Sequence, residues 1–430
     1  MFPLGPLVPL LLTCSILLGG NGLQGSLVAL KAEEVGFSPT LVGLTGTAYF
    51  AGYLVGCVLA PKLIQTVGHI RVFAALSSIS AAMILALVLM VDPVAWLVIR
   101  FVTGVALCGL FTVIESWLNA SSGNTHRARI VALYRTVDLL SVTGAQFLLP
   151  IFGVQTFHLF AVMAICFACS TVPVALIDRT NPAPPQDFRF DLGFLWRLSP
   201  LACMTSIVTG LANSVFRLIG PLYATASGLD IKGVAIFITT GIVGAAAAQF
   251  PLGYLSDRFG RRVTVLTCSG LGSLAGLFLA FVAGTDPLLI YVGIAAFGAF
   301  ALPLYSLAAS HANDQARDPA GYVLVAAGLT FFFSIGAIAG PLLASTLLEW
   351  FGPQAVFAYT AAIHAGLVAV AVWRLKVNPL PWVSVAGRGM YGRIIGLLKT
   401  PRSPEETMAS PTVVMTSDPP PPAGPDNKAV

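Results

Sequence analysis

Charge is scarce in this sequence. Asp, Glu, Lys and Arg make up 10% of its 430 residues, against 57% hydrophobic ones. A soluble globular domain carries about 25% charged residues. A water-facing surface cannot be covered at so low a density, so most of the surface must face lipid. Histidine is scarce too, with five residues, and no phosphate loop, metal-ligand spacing or nucleophile constellation is found. An enzyme, a metal centre, a bound cofactor, ATP drive and a nucleic-acid partner are therefore not expected. Residues 1–20 contain no Lys or Arg, so the charged leader of a cleaved signal peptide is missing and the first apolar run is read as a retained helix. The seven cysteines all lie in apolar runs and read as small hydrophobes. Cys166 and Cys169 have CxxC spacing without the βαβ context of a redox motif.

What fills the chain instead, up to about residue 375, is a series of apolar runs near the 20 residues that cross a bilayer. Twelve spans are read, at about 7–30, 41–64, 71–91, 94–118, 129–153, 157–178, 200–224, 233–254, 262–283, 287–311, 321–346 and 353–375. Backbone polar groups cannot stay unpaired in lipid, so each span is a helix. With the N-terminus in the cytoplasm, the cytoplasmic segments hold 18 Lys and Arg and the opposite side holds only Lys31 and Lys232. That asymmetry orients the protein in the inner membrane with both termini cytoplasmic. Arg100, Arg135 and Arg217 remain inside spans.

The segment RTNPAPPQDFRFDLGFLWRLS, residues 179–199, divides six spans from six. The halves align at a near-constant offset: Asn21 with Asn213, Gly68 with Gly260 and Gly144 with Gly336 at 192, and Asn119 with Asn313 at 194. Parallel six-helix repeats are a known transporter plan. The expected fold is all-α and integral to the membrane, with twelve transmembrane helices in two pseudo-symmetric six-helix bundles. The bundles occupy 1–178 and 200–375, separated by a cytoplasmic loop at 179–199. Residues 376–430 form a cytoplasmic tail, partly amphipathic at 382–399 and then disordered, rich in Pro, Ser and Thr. A dispensable tail is the reading adopted.

Residues 253–262 read GYLSDRFGRR. They are similar to the Gly-x-x-x-Asp-Arg-x-Gly-Arg-Arg signature of the major facilitator superfamily. ESWLN at 115–119, VGHIRVFAAL at 67–76, PLYSLAASHAND at 303–314 and GAIAGP at 336–341 resemble its YcaD-like branch. The resemblance covers about residues 7–375. It implies two bundles, a central cavity and alternating access, and it names no substrate. The first-half counterpart departs from the signature: Gln65 and Thr66 stand where Asp257 and Arg258 stand, with His69 and Arg71 keeping some basic character.

The signature residues Gly253, Asp257, Arg258, Gly260, Arg261 and Arg262 form the candidate cytoplasmic gate. Asp257 can face the N-terminal end of span five from the other half, where an anion is favoured. The plainer alternative is a loop anchor. Charged groups inside spans are functional candidates by default. Asp138, near the middle of span five, is the first candidate for proton coupling, or else a fixed partner of a neighbouring arginine. Glu115, at the cytoplasmic end of span four, can pair with Arg135 at similar depth or serve coupling. RFVTG at 100–104 resembles the Arg-x-x-x-Gly element of proton-coupled family members, with Thr103 in place of the usual glutamine. This implies proton or substrate handling by Arg100, against a structural arginine bonded to carbonyls. Asn21 and Gln24 of span one and Asn213 and Arg217 of span seven, with Arg100, form the candidate solute site. Guanidinium holds a carboxylate or phosphate in two bonds, so the solute class is anionic or zwitterionic. His311, Asn313 and Asp314 at the end of span ten are read as a gate or a loop anchor.

The expected function is secondary active transport of a small solute by a monomer in the bilayer, with protons as the candidate coupling ion. The alternative is a non-transporting receptor or assembly protein on a transporter fold.

Overall fold

The computed structural model describes residues 8–121, 127–176, 192–315 and 319–377. The tail, most of the central loop, and the side chains of Asn119, Arg127 and Arg129 lie outside the described residues. The described helices all belong to one compact unit, Met1–Val377. They are α1 Val8–Glu34, α2 Pro39–Val67, α3 His69–Leu89, α4 Pro93–Ser121, α5 Arg127–Gln146, α6 Leu148–Phe152 and α7 His158–Leu176 in the first half. A short helix, α8 Leu192–Leu198, precedes the second half. There follow α9 Pro200–Ser214, α10 Gly220–Ala226, α11 Ile231–Phe259, α12 Arg261–Phe281, α13 Pro287–Ala301, α14 Leu304–Asn313, α15 Pro319–Phe351 and α16 Gln354–Val377. Segment 192–198, expected as part of the central loop, is helical, since its run LGFLWRL contains no proline.

Eleven helical stretches among the described residues are long and apolar enough to cross a membrane. The twelfth span, α5 with α6, falls short because Arg127, Arg129, Arg135 and Asp138 lower its apolarity. Three spans are broken, each beside a proline, whose missing N–H cannot continue the helix ladder. α5 yields to α6 ahead of Pro150, and α13 to α14 at Leu302–Pro303. Between α9 and α10 a π-helical turn, Val215–Ile219, lies just before Pro221, and the Gly220 N–H closes onto Val215 O.

The repeat is legible at the level of single contacts. Helix ends are capped alike in the two halves. Gly36 and Gly228, and Gly68 and Gly260, take positive φ between 84° and 91°, a conformation open to glycine at little cost. Ser38 accepts from Leu41 N, and Asp230, 192 residues on, accepts from Gly233 N. Asp92 and Asp286, 194 apart, cap α4 and α13. The extra two residues fall in the loop 282–286, which matches 90–92.

The α2–α4 crossing repeats as the α11–α13 crossing with the same steps, whereas the close approach of Gly336 to Ile207 O does not repeat at Gly144, which meets nothing within 4 Å. A Cβ on Gly104 would stand 2.0 Å from Tyr49 O, and one on Gly52 would stand 2.0 Å from Phe101 O. In the second half, Gly298 meets Gly241 O at 2.1 Å and Gly244 meets Ala295 O at 2.5 Å. Small residues let helices approach this closely in the absence of a hydrophobic drive between them. Gly104→Val therefore lowers stability by about 1–3 kcal/mol through overpacking, and Gly298→Val does the same. Gly270→Val, which meets nothing within 4 Å, leaves the thermal midpoint of the purified protein within a degree or two. Equal midpoints for all three variants would refute this packing argument.

Candidate functional site

Arg100 owes its position to the α2–α4 crossing. It lies one turn before Gly104, so the close approach of Gly104 to Tyr49 O brings its guanidinium over the Tyr49 ring, 4.3 Å from the centroid. Only 3% of Arg100 is exposed, and its Nε and Nη1 have no partner. Thr103, in the place of the family glutamine, turns its hydroxyl back to Ile99 O at 2.7 Å and offers Arg100 nothing. At the related position of the second half stands Ile294, fully buried, over the backbone of Gly241 instead of a tyrosine. The charge is thus a one-sided departure from a symmetric frame.

Arg217 sits in the π-helical turn and is exposed. Pro221 cannot donate to Arg217 O, and α1 uses the space: a Cβ on Gly25 would stand 2.7 Å from that oxygen. This contact brings the polar stretch of α1 alongside the turn. Gln24, next to Gly25, is 3% exposed and its Nε2 has no partner. Asn21 is half-buried. Asn213 donates to Thr209 O of its own helix at 3.2 Å. Tyr49 is thus a neighbour of Arg100, while Arg217 is held beside α1.

Arg135 pairs not with Glu115 but with Asp138 at 3.7 Å, one turn along its own helix, the arginine partner that is the alternative role of Asp138. The contact is long, and Arg135 is 64% and Asp138 31% exposed on the helix surface. Glu115, near the end of α4, is exposed. α1 is fixed to α5 by polar contacts: Gln146 Nε2 donates to Gly22 O at 2.7 Å, and Ser26 donates to Gln146 Oε1 at 3.0 Å.

At the basic end of the molecule, Arg261 organises the signature. It reaches Asp257 at 2.7 Å and Asp314 at 2.9 Å, tying the α11–α12 turn to the end of α14. Asp257 is 67% exposed. Arg258 lies 5.6 Å from the Phe259 ring, and Gly260 takes its positive φ between the two helices. Gly253 has open space around it, and Arg262 is engaged by a further contact. His311 is buried and contacts Gln315 at 3.2 Å, while Asn313 Oδ1 has no partner.

The first-half counterpart is not vacant. His69 stands 192 residues before Arg261, and its Nε2 meets Ser116 Oγ at 2.8 Å near the end of α4 while the ring stacks on Trp117. A histidine thus makes the loop-to-helix tie that an arginine makes in the other half. Sequence reasoning does not reach this role, nor those of Tyr49 and Gln146. The 192-residue offset points to His69; Tyr49 and Gln146 carry no signal apart from their neighbours in space.

Comparison with known proteins accords with this architecture. The family model described as Major Facilitator Superfamily matches residues 10–237 and 202–417. An uncharacterized MFS-type transporter of Enterobacter sp. (strain 638) is 27% identical over 386 residues, covering 86% of this chain and 97% of that relative. The uncharacterized MFS-type transporter YcaD of Salmonella typhi is 26% identical over the same shares. Among solved structures, the nucleoside transporter NupG superposes with a TM-score of 0.75 at 13% identity, covering 86% of this chain and 99% of NupG. A bacterial homolog of the human lysosomal transporter Spinster gives 0.64 at 16%, covering 87% and 96%. The chain is a multi-pass membrane protein and belongs to the Major Facilitator Superfamily of transporters.

Proposed function

We propose that this protein is a secondary active transporter of the inner membrane that moves a small anionic or zwitterionic solute by alternating access, coupled to protons. The observation that carries the reading is Arg100. Taking a guanidinium out of water costs several kcal/mol. A desolvated cation–π contact returns about 2 kcal/mol, and Nε and Nη1 receive nothing. A buried cation with idle donors suits an anion that arrives and leaves, with the exposed Arg217 as a second guanidinium for it. NupG lends this chain its fold alone at 13% identity, so the solute class rests on these side chains.

Asn21, Gln24, Asn213 and Arg217 complete the solute site in this reading. Asp138 is the proton carrier, its long contact to Arg135 leaving the carboxylate free to exchange a proton for the cation; Glu115 assists. The basic end is cytoplasmic by the 18-to-2 distribution of Lys and Arg, following the positive-inside bias. There Asp257 closes against the N-terminal end of α5 when the cytoplasmic side shuts, and it is held by Arg261 within its own half when that side is open.

The test is a panel of carboxylates, phosphates and zwitterions screened for thermal stabilisation, since a ligand raises stability by mass action, about 2.7 kcal/mol at a hundred times Kd. At least one solute stabilises the protein, and Arg217→Ala reduces that shift by more than half. Undiminished stabilisation removes Arg217 from the site.

A further inference from the structure

We infer that Glu349 is the latch of a second gate, at the end of the molecule opposite the Asp257 cluster. Glu349 lies near the C-terminal end of α15, in the second half. Its Oε2 accepts the Thr40 backbone N–H of α2, in the first half, at 2.9 Å. The first turn of a helix has N–H groups without helical partners, and its dipole favours a carboxylate there. The contact joins the halves, so it exists only while this end is shut and biases the equilibrium toward that state.

The seam below the latch is built to close. Thr40 Oγ1 stands 3.5 Å from Thr346 Oγ1, and Thr47 Oγ1 donates to Ile338 O at 2.7 Å. A Cβ on Gly43 would lie 1.9 Å from Ser345 Oγ and 2.6 Å from Pro341 O, and one on Gly46 would lie 2.2 Å from Leu218. The 192-residue relation defines a sister seam of α11 against α5 and α6. There Ala235 and Ile238 stand for Gly43 and Gly46. Thr239, the counterpart of Thr47, is half-buried with its hydroxyl unpartnered. A cavity of about 290 Å³ remains beside that sister seam, its lining including the carboxylates Glu33, Glu34 and Asp230 with Leu30, Val154 and Val234, so polar groups there border open space. Polar closure is therefore concentrated on the α2–α15 seam. In the same structure Asp257 is held by Arg261 of its own half. One carboxylate is engaged across the halves while the other is engaged within one. The latch goes beyond the function proposed above and rests on its alternating access.

Hydrogen–deuterium exchange of the full-length protein tests it. In Glu349→Gln, amides of residues 40–47 and 338–349 exchange about two- to five-fold faster, the range a helix-terminus charge supports, and amides of residues 253–262 exchange more slowly as the opposite end shuts. Gly43→Val, which cannot close the seam, gives the same pattern more strongly. Faster exchange confined to residues 40–42 in both variants, or no change in either, overturns the latch. Faster exchange at both ends keeps the latch and contradicts alternation.

Discussion

Arg100→Met abolishes solute transport without harming the fold. The expected fall in transport rate is at least about 30-fold, the equivalent of 2 kcal/mol lost when one member of a buried charge pair is removed. The thermal midpoint is expected to stay level or rise. An unpaired buried charge replaced by an apolar side chain of similar length is often neutral or stabilising, and Ile294 already fills the related position of the second half without a charge. This split separates the two roles open to the residue. An arginine that merely braces helices would cost stability when removed and would affect transport only in proportion. Arg100→Lys keeps the charge but loses the planar fork, so it recovers less than a tenth of the wild-type rate. Transport and melting measured on the same preparations decide the matter.

Asp138→Asn uncouples transport from the proton gradient. In proteoliposomes the variant still exchanges labelled solute across the membrane, within about three-fold of the wild-type rate, because the side chain at this position takes no part in holding the solute. An amide cannot load and release a proton near neutral pH, so concentrative uptake driven by an imposed pH gradient falls to background. The Arg135–Asp138 contact is long, at 3.7 Å, so the substitution breaks no close ion pair. Persistent accumulation in Asp138→Asn would move coupling to another group, with Glu115 next in line. Loss of exchange together with accumulation would instead place Asp138 in the solute site.

Much of the fold is legible in the sequence because its cause is local. A bilayer demands about 20 apolar residues per crossing, and that demand marks all twelve spans, including 129–153, whose charges keep α5 and α6 outside a strict hydropathy threshold. The offset of 192 residues, visible at Gly68 and Gly260 and rising to 194 after the loop at 90–92, relates caps and glycine crossings of the two halves. What escapes are consequences of packing. Tyr49 reads as one more apolar-span aromatic until Gly104 presses its helix beside Arg100. The π-helical turn at Val215–Ile219 follows from Gly220-Pro221, yet no helical periodicity announces it. Depth alone matches Arg135 to Glu115, whereas the side chain reaches one turn along its own helix to Asp138. The candidate site is thus readable as a set of polar residues in apolar surroundings, and its pairings are not.

Gradient-driven flux is the most direct test of the central claim. Purified protein in proteoliposomes, given an inward proton gradient and the solutes that stabilise it, accumulates at least one anionic or zwitterionic solute, and Arg100→Met in parallel vesicles accumulates none. A protein that binds and is stabilised by a solute, yet moves none of them under any imposed gradient, would contradict transport and establish a receptor on a transporter fold.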